Sequence, residues 1–490
     1  MQAFSRRFLP FVLGGASCSF TLLPVVGERP SATEHEARPD QHTANELTSL
    51  WTRKRGSDWP RFLGPAGNGQ SSETGLLVPW PRQGPRIVWQ RRIGSGYGIG
   101  SVSQGRYYHF DRWDDAGSGG RRGAARLSCL NAETGDELWR FEFPTSYRDL
   151  LGYNGGPRAS PIIDGDRVYV FGAEGLLHCV RASDGQPIWQ VDTQTKYGVV
   201  QNFFGTGSSP LVVGDLLICM VGGSPAGSPG LYESGGSVVG NGSGIVAFNK
   251  YTGAEQYRIT DELASYTSPQ RATIDGRAWC FVWARGGLVG FEPVSGKVDF
   301  HYPWRARLLE SVNASTPVVV GNRVFLSEAY QVGSSLLSVR PGGYDVVWSD
   351  DLRRRDKAMR THWNTPIHVE GYLYGSSGRH TQDAELRCIE WHTGRVMWSE
   401  PGELPERSSL LYVDGHFVCL GEFGTLQLIK ADPQKCHVVS HAVLRDAEGR
   451  PLLEYPCWAA PILAHGLLYV RGDERLVCLE LIPDADAKGR

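Results

Sequence analysis

Short apolar runs broken by glycine-bearing turns recur along most of the chain. One cycle opens at Ser160-Pro161, runs through apolar residues to the turn Asp164-Gly165-Asp166, and continues as Val168-Tyr169-Val170-Phe171. A third run then ends in a second turn and an aromatic residue, as from Arg181 to Trp189, from Asn131 to Trp139 and from Glu390 to Trp398. Weaker copies end at Tyr257, Phe300 and Trp348. Alternation between tight turns predicts β-strands, four to a cycle. The Ser/Thr-Pro marker opens a cycle at Ser160, Ser209, Ser268, Thr316 and Thr365, with degenerate copies at Ser101-Val102, Ser409-Leu410 and Ala460-Pro461. These eight markers lie 44 to 59 residues apart.

A single four-stranded unit has two apolar faces and two unpaired edges, so it cannot stand alone. Radial stacking buries the faces and protects the edges. The expected fold is therefore all-β: an eight-bladed β-propeller of four-stranded antiparallel blades over residues 86–482. The last unit, from Trp458 to Ile482, supplies three strands, and Arg86-Ile87-Val88-Trp89-Gln90 reads as the missing fourth, closing the ring with the N-terminal strand. Gly135, Gly185 and Gly394 supply the positive φ of the second turn. Trp139, Trp189 and Trp398 are placed to cover the gap between neighbouring blades. The marker proline suits an innermost strand whose outer N–H is unpaired.

Composition agrees, with 61 Gly and 15 Trp among 490 residues. The 50 basic and 52 acidic residues give a net charge of −2, which leaves no cationic field for nucleic acid. Arg6 and Arg7 precede a mostly apolar run from Phe8 to Val26, so residues 1–27 read as a signal peptide, Sec or Tat, or as an uncleaved anchor. Gly15 stands where a lipoprotein signal before Cys18 would carry Leu. The expected location is the periplasm or cell envelope, with no membrane contact beyond such an anchor. Residues 28–57 read as a disordered tether with at most a short helix at 44–54, 58–85 as the leader of the domain, and 483–490 as a polar tail. Gly94, Gly96, Gly98 and Gly100 have the wrong spacing for a dinucleotide loop and read as a flexible lead-in to the first blade. Ten cysteines include no Cys-x-x-Cys pair. Cys129, Cys179, Cys388 and Cys478 occupy equivalent strand positions and read as small buried apolar residues. Whether Cys436 and Cys457 meet is left open.

The phrase Ala132-Glu133-Thr134-Gly135 to Trp139, with its preceding strand, resembles the repeat of pyrroloquinoline-quinone (PQQ)-type propellers. This quinoprotein-like superfamily includes quinoprotein alcohol dehydrogenases and the BamB-like outer-membrane assembly proteins. The stretch Asp58-Trp59-Pro60-Arg61-Phe62-Leu63-Gly64-Pro65 resembles the opening of planctomycete-type PQQ-like repeat proteins. By that resemblance, a dehydrogenase would stack the quinone between a Trp and a disulfide of adjacent cysteines, with Ca²⁺ beside it and an Asp base. The chain has no Cys-Cys dipeptide, so no catalytic residue is carried over. The preferred expectation is a non-catalytic exported scaffold, monomeric and without cofactor or metal, binding protein, peptide or carbohydrate through its loop face. The alternative is a PQQ-dependent dehydrogenase with an atypical site, using PQQ and calcium. A detached sensor domain is a third reading.

Function in a propeller concentrates where loops converge around the axis. The loops just before the markers hold Tyr153, Asn154 and Arg158, then Asn202, Phe203 and Phe204, then Tyr266, Glu310 and Asn313. Further on they hold Arg360, His362, Trp363 and Asn364, then Arg407, and finally Tyr455 and Trp458. Aromatic residues, amides and arginines make an interface-like mixture. They form either a ligand-binding mouth or a plug of aromatics with turn-capping amides. Two inserts, 111–124 and 222–244, are expected between the second and third strands of their blades, as lids or as surface loops. Asp111, Asp114 and Asp115 lack the spacing of a calcium loop.

Overall fold

The computed structural model describes residues 47–484 apart from 116, 118–121, 201–202, 352–355 and 402–405. The expected leader peptide with Cys18, the first part of the tether, Asn202 and the end of the polar tail lie outside the described residues. Among the described residues, thirty-two strands form eight four-stranded antiparallel sheets. The first blade is Ser101–Ser103, Arg106–Asp114, Gly123–Asn131 and Glu137–Thr145, in that order from the axis outwards. The eighth blade takes its outermost strand, Arg86–Arg92, from the N-terminal side and its other three from the C-terminal end. The ring is closed as the sequence predicts. No helix among the described residues is long and apolar enough to cross a membrane.

Local chemistry sets the turns. Between the first two strands of five blades, a non-glycine and a glycine both take positive φ: Gln104-Gly105, Asp275-Gly276, Glu370-Gly371, Asp414-Gly415 and His465-Gly466. Positive φ at both central residues is the two-residue hairpin geometry that matches strand twist. Each pairing of third and fourth strands carries one register shift, in the first blade between Cys129 and Leu130 and in the second between Cys179 and Val180. At this shift Cys129, Cys179, Cys388 and Cys478 face Trp139, Trp189, Trp398 and Trp89 across the strands. An indole lying over the sheet leaves room for a small side chain only, and all nine described cysteines are free thiols. Cys436 and Cys457 form no disulfide.

Two sets of hydrogen bonds join the blades. On the outside, the tryptophans of the fourth strands reach the turn of the next blade. Trp89 Nε1 donates to the Ala132 carbonyl at 2.9 Å, Trp139 to Ala182 at 3.1 Å, Trp189 to Lys250 at 3.1 Å and Trp348 to Trp391 at 3.0 Å. The indole then covers the turn glycine of that blade, so a Cβ at Gly185 would stand 2.5 Å from the Trp139 ring. Near the axis, the hydroxyls of the markers form a relay. The Ser160 N–H donates to Ser209 Oγ, Ser209 N–H to Ser268 Oγ, Ser268 N–H to Thr316 Oγ1 and Thr316 N–H to Thr365 Oγ1. Apolar cores fill the space between blades, as where Tyr108, Phe110 and Leu127 meet Val168, Val170 and Val180.

The leader crosses the ring on the face opposite the blade-to-blade loops. Trp59 exchanges both backbone hydrogen bonds with Val102 of the first blade, and the Pro60 carbonyl accepts from Ile163 N–H of the second. The Gln70 amide donates to the His368 carbonyl of the sixth, Ser71 N–H to the Tyr412 carbonyl of the seventh, and Glu73 accepts from His465 and Gly466 N–H of the eighth. Gly67 packs beside Gln270 of the fourth.

Three local expectations differ from what forms. Residues 47–54 of the tether expected to be disordered lie against the ring, without helix, with Leu50 N–H on the Gln104 carbonyl, Thr52 on Glu133 and Arg53 on Glu480. Residues 111–114 and 123–124 of the first insert are strand, because Asp111 is buried and held by Arg126 at 2.9 Å. The run Gly94 to Gly100 is close-packed rather than flexible: Cβ atoms at Gly94 and Gly98 would meet the Arg112 and Ala159 carbonyls at 2.2 and 2.7 Å.

Candidate functional site

The blade-to-blade loops and the connections between second and third strands emerge on one face and converge on the axis. There they enclose a cavity of about 280 Å³. Phe62 and Leu63 of the leader line it from the opposite face, and marker residues Ser160, Ser209, Ser268 and Thr365 line its sides. The channel therefore has a floor built from a segment outside the ring.

The mouth centres on an arginine between two tryptophans. The Arg407 guanidinium stands 4.2 Å from the Trp363 ring centre and 5.6 Å from that of Trp458. Its fork is held by the buried Glu422 carboxylate, with Nη2 at 2.6 Å and Nε at 3.1 Å. Glu422 also accepts from Trp458 Nε1 at 3.3 Å. Burial alone would raise the Glu422 carboxyl, but the hydrogen bonds and charge of Arg407 hold it below its ordinary range. The arrangement fixes a planar cation against two indole faces.

Behind Arg407 lies a neutral histidine. Arginine only donates, so Arg407 Nη1 at 3.3 Å makes His362 Nδ1 the acceptor and leaves the proton on Nε2, 3.2 Å from the Tyr330 hydroxyl. Burial, with the charges of Arg407 and Arg379, pushes His362 down to about 3. Arg379 lies 4.1 Å over the Tyr330 ring. Beneath Tyr330, Glu328 is buried, accepts from Ser311 Oγ at 3.0 Å and from Tyr330 N–H at 2.9 Å, and is raised by burial to about 7.

An aromatic track runs from this centre to the rim. Tyr97 stacks on Trp458 at 5.1 Å, Tyr153 lies 6.0 Å from Trp458 and 5.3 Å from Phe204, and Phe204 meets Tyr266 at 5.3 Å. Outwards, Tyr455 sets its edge against Trp458 and stacks on Phe423. Arg158 is tied to Asp149 at 2.9 Å and lies over Tyr97.

Of the loop residues singled out in sequence, Tyr153, Arg158, Phe204, Tyr266, His362, Trp363, Asn364, Arg407 and Trp458 line the cavity. Others do not. Arg360 points away and pairs with Asp383 at 3.3 Å, beside Lys357 and Arg387, because its backbone is tied to Ser377 Oγ. Phe203 is fully buried under Leu231 and Tyr330 as a prop. Asn154 Oδ1 accepts from Gly156 N–H within its own loop, and the Asn313 amide donates to the Ala284 carbonyl on a neighbouring connection, so both brace loops; Asn364, although at the cavity wall, spends its amide on the Ser376 carbonyl. Tyr455 stays on the rim, and Glu310 is exposed. The 222–244 insert packs over Phe203 through Leu231 and Tyr232. Sequence reasoning missed Tyr97, Tyr330, Arg379 and Glu422. The last three sit on short connections between second and third strands, which share the loop face but carry no length or composition that marks them in the sequence.

The cavity wall can be tested against a quinone with calcium. Calcium needs hard oxygen ligands, most of them carboxylates. Among the described residues no Asp, Glu or Cys lines the cavity, and no group of three metal-ligating side chains occurs. The carboxylate just behind the wall, Glu422, is already occupied by Arg407 and Trp458. The residues present do not fit the calcium–quinone pair.

A family model described as outer membrane protein assembly factor BamB matches residues 123–400. Among solved structures, BamB from Moraxella catarrhalis is 13% identical over 81% of this chain and 97% of that one, with a TM-score of 0.49. The quinohemoprotein alcohol dehydrogenase from Comamonas testosteroni is 11% identical over 88% of this chain and 81% of that one, with a TM-score of 0.57. The latter likeness shows the propeller fold. No curated protein matches the sequence.

Proposed function

The chain belongs to the family described as outer membrane protein assembly factor BamB, and from that membership we propose that it is an exported, non-catalytic scaffold that binds a protein partner in the cell envelope through its loop face. The observation that carries the reading is the aromatic track of that face. It runs from Trp458 on the axis to Tyr455 and Phe423 on the rim, where Phe423 is 51% exposed. Leu150, Leu151 and Tyr153 extend the exposed apolar surface on the neighbouring loop. Large apolar side chains exposed together around an arginine clamp have the composition of an interface centre. Arg407, locked by Glu422 between two indoles, is preorganised and loses little entropy on contact.

The test is site-specific photo-crosslinking in the intact chain, expressed in its own cells. A crosslinker at Phe423 or Tyr455 is expected to capture one discrete envelope protein. A crosslinker at Glu370, on a turn of the opposite face, is expected to capture none. Equal capture from both faces, or capture by a crosslinker at Leu151 that survives Phe423→Ser with Tyr455→Ser, would overturn the reading.

A further inference from the structure

The cavity wall has an uneven charge. Three arginines, Arg158, Arg379 and Arg407, line it, while no carboxylate does so among the described residues. Two of the three guanidinium groups are spoken for, Arg158 by Asp149 and Arg407 by Glu422. Arg379 is different. It is held over the Tyr330 ring at 4.1 Å and makes no ion pair with a carboxylate among the described residues. Glu328, the acid behind Tyr330, has both oxygens engaged by Ser311 Oγ and Tyr330 N–H. A guanidinium over an aromatic face at a cavity wall is a preformed fork for a carboxylate.

The remaining wall selects the body that carries this carboxylate. The Trp363 and Trp458 ring centres lie 5.0 Å apart at 37°, with Arg407 against both and Tyr97 stacked on Trp458, so they form no parallel-sided slot for a flat ring, and the face of Trp363 turned from Arg407 is the one left for a ligand. Trp363 Nε1 is a buried donor without a partner, which calls for an acceptor. A volume of about 280 Å³ falls at the small end of ligand pockets, roughly 300–1,000 Å³. A puckered ring with one C–H face for the indole, hydroxyl oxygens for the indole N–H and a single carboxylate for Arg379 satisfies all three conditions. We infer that the central cavity binds a sugar acid, a uronate as monomer or short oligomer, with its carboxylate on Arg379 and its ring against Trp363. The inference rests on the loop face being the binding face and names the small ligand of its central mouth.

The test is calorimetry and tryptophan fluorescence on the purified chain with galacturonic acid and its dimer, with galactose and its dimer as neutral counterparts, and with sodium benzoate as a flat acid. Saturable binding of the uronate, at least tenfold tighter than the neutral sugar and weakened by salt, is expected. Arg379→Gln should lose tenfold or more for the uronate and leave any weak binding of the neutral sugar unchanged. Equal binding of acidic and neutral sugars, no saturable uronate binding, or preference for benzoate would each overturn the inference. The comparison of ligands on the unaltered protein decides the matter even if the variant misfolds. Uronate binding that fails while Phe423 and Tyr455 still crosslink to a partner refutes the ligand alone. Crosslinking that fails while uronate binds refutes the scaffold reading alone.

Discussion

At the scale of single residues, two glycines separate two kinds of constraint. Gly165 has φ +59 with open space where a Cβ would stand, whereas Gly185 has φ +74 and the Trp139 ring over it. Gly165→Ala should cost about 1 kcal/mol from backbone strain alone. Gly185→Ala adds a collision with a packed indole and should cost a further ~2 kcal/mol. Urea midpoints at constant slope would show the difference, and equal losses would contradict the lapped-indole account. Glu328 supplies a second prediction, through pH. Its carboxyl titrates at the ordinary 4.5 when unfolded and at about 7 when folded. The native state thus holds the extra proton between those values, and stability falls as pH rises from 4.5 to about 7, by up to about 3 kcal/mol. Glu328→Gln should flatten that part of the thermal-midpoint profile.

Elements carry the same reasoning further. The strand Arg86–Arg92 does what the tryptophan-bearing fourth strands do, although it precedes the ring in sequence: Trp89 faces Cys478, donates to the Ala132 carbonyl and covers Gly135. Trp89→Ala should therefore cost about 3–5 kcal/mol, as for a buried tryptophan in any core. Val346→Ala, on the exposed side of a fourth strand, should cost under about 0.5 kcal/mol. Thermal unfolding of both variants checks this, and a mild effect at Trp89 would mean that the seam is not closed by its side chain. The fold was legible at this scale because most blades repeat their turns, their glycine and their aromatic at similar offsets, the seventh having Ser440 in place of the aromatic. The marker hydroxyl was legible as a pattern but not as a cause. Its partner is the equivalent hydroxyl of the next blade, a contact between residues about fifty apart that no local rule anticipates.

For the whole molecule, three desolvated imidazoles, His109 and His178 in the core and the half-buried His362 at the cavity, shape the acid limb of stability. Burial pushes His109 and His362 down to about 3 and His178 to about 4. Unfolded histidine titrates near 6.5, so the unfolded chain binds more protons below that value and stability from these groups is lost as pH falls from 6.5 towards 3. His109 lies 3.8 Å from Asp111 yet has neither ring nitrogen hydrogen-bonded, and burial outweighs the carboxylate. His109→Phe should make the fall in urea midpoint between pH 6.5 and 4 shallower, and an unchanged slope would contradict a buried neutral imidazole.

The cavity was half legible. Loop residues such as Trp363, Arg407 and Trp458 could be found because they immediately precede the markers. Tyr330 and Arg379 could not be ranked among many short connections, and nothing in the sequence says that Phe62 and Leu63 cross the axis. That crossing has a consequence for how the molecule is made. Residues 58–75 emerge from the ribosome before any blade, yet their partners lie on the first, second, fourth, sixth, seventh and eighth blades. This stretch is synthesised before every blade it bridges, and its docking is complete only when the last of them has formed. A nascent or truncated chain leaves Phe62 and Leu63, which close the axis, without the later blades that surround them, so an incomplete product displays its own incompleteness beside its first blade.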